Sequence, residues 1–258
     1  MTAKLALPGV VVCLFLAGCA GDGGDGETTT VATPPAPSLT NDVRVYFLRE
    51  GKVWPALREV PAKKAQANAA LGELIGGPTA QEADELGWTT ALPEDLGTFS
   101  LLGTPGRQRG AVSLAFERPL PRAARAQIVY TLTQFPLVEA VILNEQTYRR
   151  ADFEDLTPSV LVESPLAFDE VANPLHVFGT ANTFEATFSY EVTDTDGRIV
   201  DEDFVTATLG IGGRGTFEFT TDEFEVPFDG VGSLIVFELS AKDGSRPNIV
   251  EIPLRMAK

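Results

Sequence analysis

The chain has 258 residues and a formal charge of −16, with 44% hydrophobic and 22% charged residues. That composition fits a folded chain long enough for two modest domains and excludes a disordered or fibrous polymer. Two cysteines and one histidine exclude a disulfide scaffold and the usual zinc ligand sets.

Lys4 is followed by an apolar run, Leu5 to Gly18, that ends in Leu16-Ala17-Gly18-Cys19. A basic start, a short apolar core and small residues before a cut form a secretory signal. The run is too short to span a bilayer, which takes about 20 apolar residues. The four closing residues resemble the lipobox of bacterial lipoproteins. The resemblance implies cleavage between Gly18 and Cys19, removal of residues 1–18, and a thioether-linked lipid on Cys19. Cys13 leaves with the signal, so cysteine chemistry is excluded from the mature chain. Attachment would rest on lipid, and stable anchoring takes more than one acyl chain. The expected location is the extracytoplasmic face of the cell membrane. Residues 19–41 then read as a tether: Gly/Asp-rich, followed by a Thr/Pro-rich stretch that has too little apolar surface to fold.

Val43 to Leu48 reads as a strand, Glu50-Gly51-Lys52 as a turn, and Val53 to Val60 as a second strand. Ala67, Ala70, Leu71, Leu74 and Ile75 recur at helical spacing, and Gly76-Gly77-Pro78 ends the run. Thr79-Ala80-Gln81-Glu82 is a capping box that opens a short helix ending at Gly87. Phe99–Leu102 and Ala111–Phe116 are predicted strands around a Gly103–Gly110 turn. A helix over Arg122–Phe135, with Ala126, Val129, Leu132 and Thr133 inward, precedes a strand at Val138–Leu143. Residues 42–156 are thus predicted as an α+β domain.

From Pro158 onward the period changes. Phe184, Phe188, Tyr190 and Val192 alternate with polar residues, as on a half-buried strand. Further strands are predicted at Leu175–Phe178, Ile199–Leu209, Thr216–Thr220, Glu223–Phe228, Ser233–Ala241 and Asn248–Arg255, with Asp196-Gly197 and Asp243-Gly244 as tight turns. Residues 157–258 read as an all-β, immunoglobulin-like sandwich. This half carries 6 Lys/Arg against 18 Asp/Glu. The excess of acid disfavours nucleic acid as a partner.

Val43-Arg44-Val45-Tyr46-Phe47, Leu71-Gly72-Glu73-Leu74-Ile75-Gly76-Gly77-Pro78 and Thr131-Leu132-Thr133-Gln134-Phe135-Pro136 resemble the GerMN domain of spore-germination and sporulation proteins. Asn144-Glu145-Gln146-Thr147-Tyr148 stands where such domains often carry an Asp-Gly hairpin. Ser164-Pro165, Asn173-Pro174-Leu175, Val177-Phe178-Gly179, Ala181-Asn182-Thr183-Phe184-Glu185, Gly215-Thr216-Phe217, Ser240-Ala241-Lys242-Asp243-Gly244 and Ile252-Pro253-Leu254 resemble Gmad2, the immunoglobulin-like module often found behind GerMN. The pair implies a sporulation- or germination-related envelope protein without established enzymatic activity.

The candidate reactive groups each have a plainer reading. His176 lies in a predicted strand with no nucleophile motif near it. Gly210-Ile211-Gly212-Gly213-Arg214-Gly215 fits G-x-G-x-x-G, but a strand pattern follows where a dinucleotide site needs a helix. Asp194-Thr195-Asp196-Gly197 imitates the start of a calcium loop, yet the twelfth position is Val205 rather than Glu. Ser240-Ala241-Lys242, Glu94-Asp95 and Asp152-Glu154-Asp155 read as turns and solvated loops. Arg118, Arg122, Arg125, Arg149 and Arg150 form a basic group, paired with acids of their own domain or set to contact an acidic partner, of which the acidic half is one candidate.

No enzyme activity, cofactor or metal site is predicted. The leading expectation is a non-catalytic lipoprotein that scaffolds extracytoplasmic envelope proteins. The alternative is a ligand-binding or sensing lipoprotein, with Trp54, Trp88 and Phe135 lining a cleft for a cell-wall fragment or small molecule.

Overall fold

The computed structural model describes residues 40–62, 66–94, 99–102, 110–210, 212–240 and 242–258, the strand at 99–102 by its backbone alone. Signal, lipid site and tether lie outside the described residues, as does most of the turn after residue 102. No described helix is long and apolar enough to cross a membrane.

β1 (Thr40–Arg49) and β2 (Lys52–Pro61) form an antiparallel hairpin with Arg49 opposite Lys52. Glu50 and Gly51 both take positive φ, 52° and 74°. Two such residues give the turn whose twist matches the strands it joins. α1 (Gln66–Gly76) buries Ala70, Leu71 and Leu74, and Gly77 follows with φ 82°. α2 (Ala80–Leu86) has its capping box formed on both sides, with Gly87 as a left-handed C-cap. Periodicity, capping box and stop signals were all readable in sequence.

A second sheet runs β3 (Phe99–Leu102), β4 (Gly110–Phe116), β5 (Val138–Leu143) and β6 (Gln146–Tyr148) in that order. β4 and β5 are parallel. The chain passes between them through α3 (Arg122–Leu132), as a parallel pair requires. The helix ends three residues before the expected Phe135. It also has no single inward face: Ala124 and every residue from Ala126 to Leu132 are buried. The β5–β6 hairpin closes on Asn144 and Glu145, with φ 45° and 73°. The Asp-Gly signal is therefore replaced rather than lost. Asn144 Oδ1 accepts from Phe116 N at 2.7 Å, and its Nδ2 donates to Phe116 O at 3.1 Å, which pins the turn to β4.

Helix α3 supplies the hydrogen bonds that β1 lacks on the side away from β2. Thr131 Oγ1 accepts from Tyr46 N at 3.1 Å, and Gln127 Nε2 donates to Tyr46 O at 3.0 Å. Gln134 Oε1, beyond the helix, accepts from Arg44 N at 2.7 Å, and its Nε2 donates to Arg44 O. With Leu48 bridged to the backbone of Thr89, an edge strand has been closed mainly by side chains instead of by another strand.

After a 3-10 turn over Arg150–Leu156, two sheets form the sandwich. One is β7 (Val160–Ser164), β8 (His176–Ala181) and β11 (Gly215–Thr220), in the order β11-β8-β7. The other is β9 (Thr187–Thr193), β10 (Ile199–Thr206), β12 (Gly230–Phe237) and β13 (Val250–Met256), in the order β10-β9-β12-β13. Between them Phe188 meets Phe217 edge-on at 4.8 Å, and Tyr190 stacks on Phe219 at 4.4 Å. Such aromatic pairs add to simple area burial. Gly179 lies where a Cβ would come 2.1 Å from Leu161 O, so the two strands tolerate no side chain there.

Two expectations for this half are corrected, and one strand is added. Glu223–Phe228 alternates in exposure yet joins no sheet, because the side chain of Asn173 takes the N–H of Phe224 at 3.2 Å and donates to its carbonyl, and Pro227 has no N–H. Phe184 lies in a 3-10 turn, Phe184–Ala186, and is 63% exposed rather than inward. β7 was not predicted; its five residues are too short for alternation to stand out beside Pro158 and Pro165.

Candidate functional site

β7 is buried on both faces and shared by two hydrophobic cores. Leu161 belongs to the core built by β1, β2, α1, α3 and β5. Its neighbours Val160 and Val162 point the other way, into the sandwich core. The period of two makes one strand a party wall. Trp54 and Ala167 also pack against both cores.

A polar network runs along this seam. Arg150, on the 3-10 turn, pairs through Nη1 with Glu163 Oε1 at the end of β7. Its Nη2 donates to Tyr46 Oη at 3.2 Å and its Nε to Thr133 Oγ1 at 2.9 Å. The guanidinium carbon lies 4.7 Å from the Tyr130 ring centroid and 5.3 Å from that of Tyr46. Tyr46 Oη donates to Glu163 Oε1 at 3.0 Å, and Arg44 Nε donates to Glu163 O at 2.6 Å. Burial pushes the Tyr46 hydroxyl well above the ordinary phenol range. Burial alone would lower the Arg150 pKa, but Tyr46 and Glu163 outweigh it and keep the cation firmly charged. A desolvated charge with several partners is expensive to break.

A second node lies at Arg214. Its Nε and Nη2 meet Glu154 Oε2 and Oε1 at 3.0 and 2.9 Å, and its Nη2 also donates to Pro158 O at 2.7 Å. Asn182 Nδ2 adds a 2.9 Å bond to the same carboxylate. Burial raises the Glu154 pKa, while Arg214 and Asn182 lower it further, so the net shift is downward. Arg214 is the cation of the expected glycine loop. That loop leads into β11 rather than a helix, and a Cβ at Gly215 would lie 2.3 Å from Leu209 N. The glycine serves close backbone packing.

The basic group divides along these lines. Arg150 reaches the acidic half, whereas Arg122 pairs with Asp155 and holds that exposed carboxyl below its usual range. Arg125 Nη1 donates to Tyr148 Oη. Asp152 accepts from Arg149 N at 2.7 Å, closing a cap. Sequence reasoning placed Glu154 among solvated acids and missed Glu163. A lone Arg after a glycine-rich turn in a strongly acidic half was the one available signal.

The other candidates are dispersed. His176 Nε2 meets Glu218 Oε1 at 2.8 Å, both side chains more than half exposed. Asp194 Oδ1 accepts from Asp196 N at 2.8 Å and Arg198 N at 2.9 Å, so the calcium-like start is a hairpin turn. Ser240 N donates to Ser245 O at 2.9 Å within the turn around Asp243. Asp95 lies outside the described residues. Among the described residues, no group of three or more His, Cys, Asp or Glu could hold a metal. Of the proposed cleft, Trp54 and Trp88 share a crevice of about 20 Å³ with Arg49 and Leu166, and Phe135 does not line it. That is room for roughly one water. Both indole Nε1 atoms are buried without a hydrogen-bond partner.

Comparison with known proteins gives two family matches. Residues 44–145 match Germane, described as sporulation and spore germination, and residues 159–245 match Gmad2, the immunoglobulin-like domain of bacterial spore germination. No curated protein matches the chain. Among solved structures, the tandem GerMN domains of the sporulation protein GerM from Bacillus subtilis align at 26% identity, with a TM-score of 0.33, over 45% of this chain. The match spans 43% of that structure, less than half its length. The chain therefore carries a GerMN domain of the sporulation and germination type followed by a Gmad2 immunoglobulin-like domain.

Proposed function

We propose that this chain is a non-catalytic, lipid-anchored envelope protein that scaffolds extracytoplasmic partners in sporulation or germination. The observation that carries the reading is the party wall. A strand common to both cores, flanked by satisfied charges, presents two domains in one fixed orientation, as a scaffold requires. The family descriptions supply the process. Cys19 is the anchor, and it puts the protein on the extracytoplasmic face of the cell membrane.

Two measurements test this. Radiolabelled palmitate should enter the wild-type protein and not Cys19→Ser; equal labelling ends the lipoprotein reading. Crosslinking in intact cells should recover defined envelope proteins, and a chain that crosslinks to nothing at any surface position is no scaffold.

A further inference from the structure

The outer end of the four-stranded sheet carries a groove of about 500 Å³. Phe204 on β10, Phe184 on the 3-10 turn before β9 and Leu239 after β12 line it and are 67%, 63% and 60% exposed. Soluble proteins seldom leave large apolar side chains that open and that close together. Beside them, β10 is an edge strand that pairs with β9 alone.

The charge around the groove selects among occupants. Glu185 and Glu238 line it with Lys242. Glu202, two residues before Phe204, shares its face of β10, and Arg246 is already held by Glu191 at 2.7 Å. The half that bears the groove has 18 acids against 6 cations. A second copy would bring like charge to like charge, and an anionic lipid surface would be repelled. The exposed edge is guarded as well: Asp203 Oδ1 accepts from Phe204 N at 2.8 Å. A cation approaching Asp203 would release that N–H for a partner's carbonyl.

We propose that this groove docks an extended protein segment in which apolar side chains alternate with Lys or Arg. The apolar residues would cover Phe184, Phe204 and Leu239; the alternate cations, on the segment's other face, would meet Asp203, and a cation at the end of the segment would reach Glu185 and Glu202 beside the apolar side chains. The biological role of this contact rests on the scaffold reading above; the binding itself does not.

The probe is a labelled short peptide alternating Lys with Val and Phe, titrated into the full chain and followed by fluorescence anisotropy. We expect saturable binding that weakens as salt rises, and no binding of the same peptide with Glu for Lys. Phe204→Ser and Leu239→Ser should each weaken binding at least about tenfold, since buried aromatic and aliphatic anchors dominate such contacts. Their melting temperatures should not move, which separates lost binding from lost folding. Glu202→Lys should weaken the Lys peptide while leaving the apolar surface intact. The proposal is overturned by equal binding of both peptides, by no binding of either, or by variants that bind like wild type. It is also overturned if Phe204 instead governs dimerisation or uptake by phosphatidylglycerol vesicles. In cells, a photo-crosslinker at position 204 should capture a protein through a Lys- or Arg-containing segment. Capture from Leu57, exposed on β2 of the other domain, but not from 204 would sink the groove and keep the scaffold; capture from neither would sink both.

Discussion

The two halves of the molecule treat their surfaces differently. Among the described residues of the GerMN half, the large apolar side chains that reach solvent, Leu57, Ile75 and Leu137, are 37–39% exposed. In the Gmad2 half, Phe184, Ile199, Phe204, Leu209, Leu239 and Ile249 are all more than half exposed. Both halves bury polar side chains that bond their own backbone, Gln127 and Thr131 in the first, Asp194 and Thr221 in the second, so the difference lies in the apolar surface. One half closes on itself, and the other leaves apolar surface under a strongly acidic field. In a two-domain chain, the division of labour can be read from where unmet apolar area collects.

That contrast can be broken first at the seam between the halves. Arg150→Met leaves Glu163 desolvated without its cation and should cost roughly 3–4 kcal/mol, read by urea unfolding. A loss below about 1 kcal/mol would mean that the network is loose and water-filled. Adding Glu163→Met to that variant should recover part of the stability, because the pair removed together leaves no orphan charge.

Leu161→Ala is next, at about 3 kcal/mol for a fully buried leucine in a wall shared by both cores. Hydrogen exchange should accelerate in β4 and in β12 together. Acceleration confined to one of them would show that the halves open independently.

Glu154→Gln should cost about 1 kcal/mol at neutral pH, a modest figure because the carboxylate is 38% exposed. Its folded pKa is depressed below the ordinary 4.5. The stability it contributes is therefore complete above that value and is lost as the pH falls through the lowered folded pKa. Melting curves of wild type and variant should converge under acid; a gap that stays constant to low pH would remove the charge from the explanation.

The smallest effect is a gain. Glu145 sits at φ 73° in a two-residue hairpin turn where glycine costs nothing, so Glu145→Gly should stabilise by about 0.5–1 kcal/mol. A loss instead would mean that the Glu145 side chain holds something in place.

Local signals carried most of the fold. The capping box at Thr79, the glycine stop after α1, the Glu50-Gly51 turn and β5 are all written in neighbouring residues, and the structure places them where those residues say. What sequence did not reveal depends on partners distant along the chain. Helix α3 looked one-sided because Gln127 and Thr131 are polar, yet both are buried, since β1 offers them backbone groups from more than 80 residues away. Glu223–Phe228 has the alternation of a strand, but whether it pairs was decided by Asn173. The seam was hidden for the same reason: Glu163 and Arg214 become interesting only when Arg150 and Glu154 stand opposite them. Charge distribution was legible; charge pairing was not.

Closing β1 with Gln127, Thr131 and Gln134 has a mechanical consequence. Any pull arriving ahead of Thr40 enters the fold through this strand, and four residues in it meets Arg44. That residue is held by Gln134 through its backbone and by Glu163 O through its guanidinium. Load is thereby handed to α3 and to the party wall at once, instead of peeling a hairpin free. Pulled from its N-terminus in an optical trap, the wild-type chain should yield in one cooperative rupture. Arg44→Ala should yield in two, with β1 stripping away first at lower force; identical traces would show that the strand carries no such load.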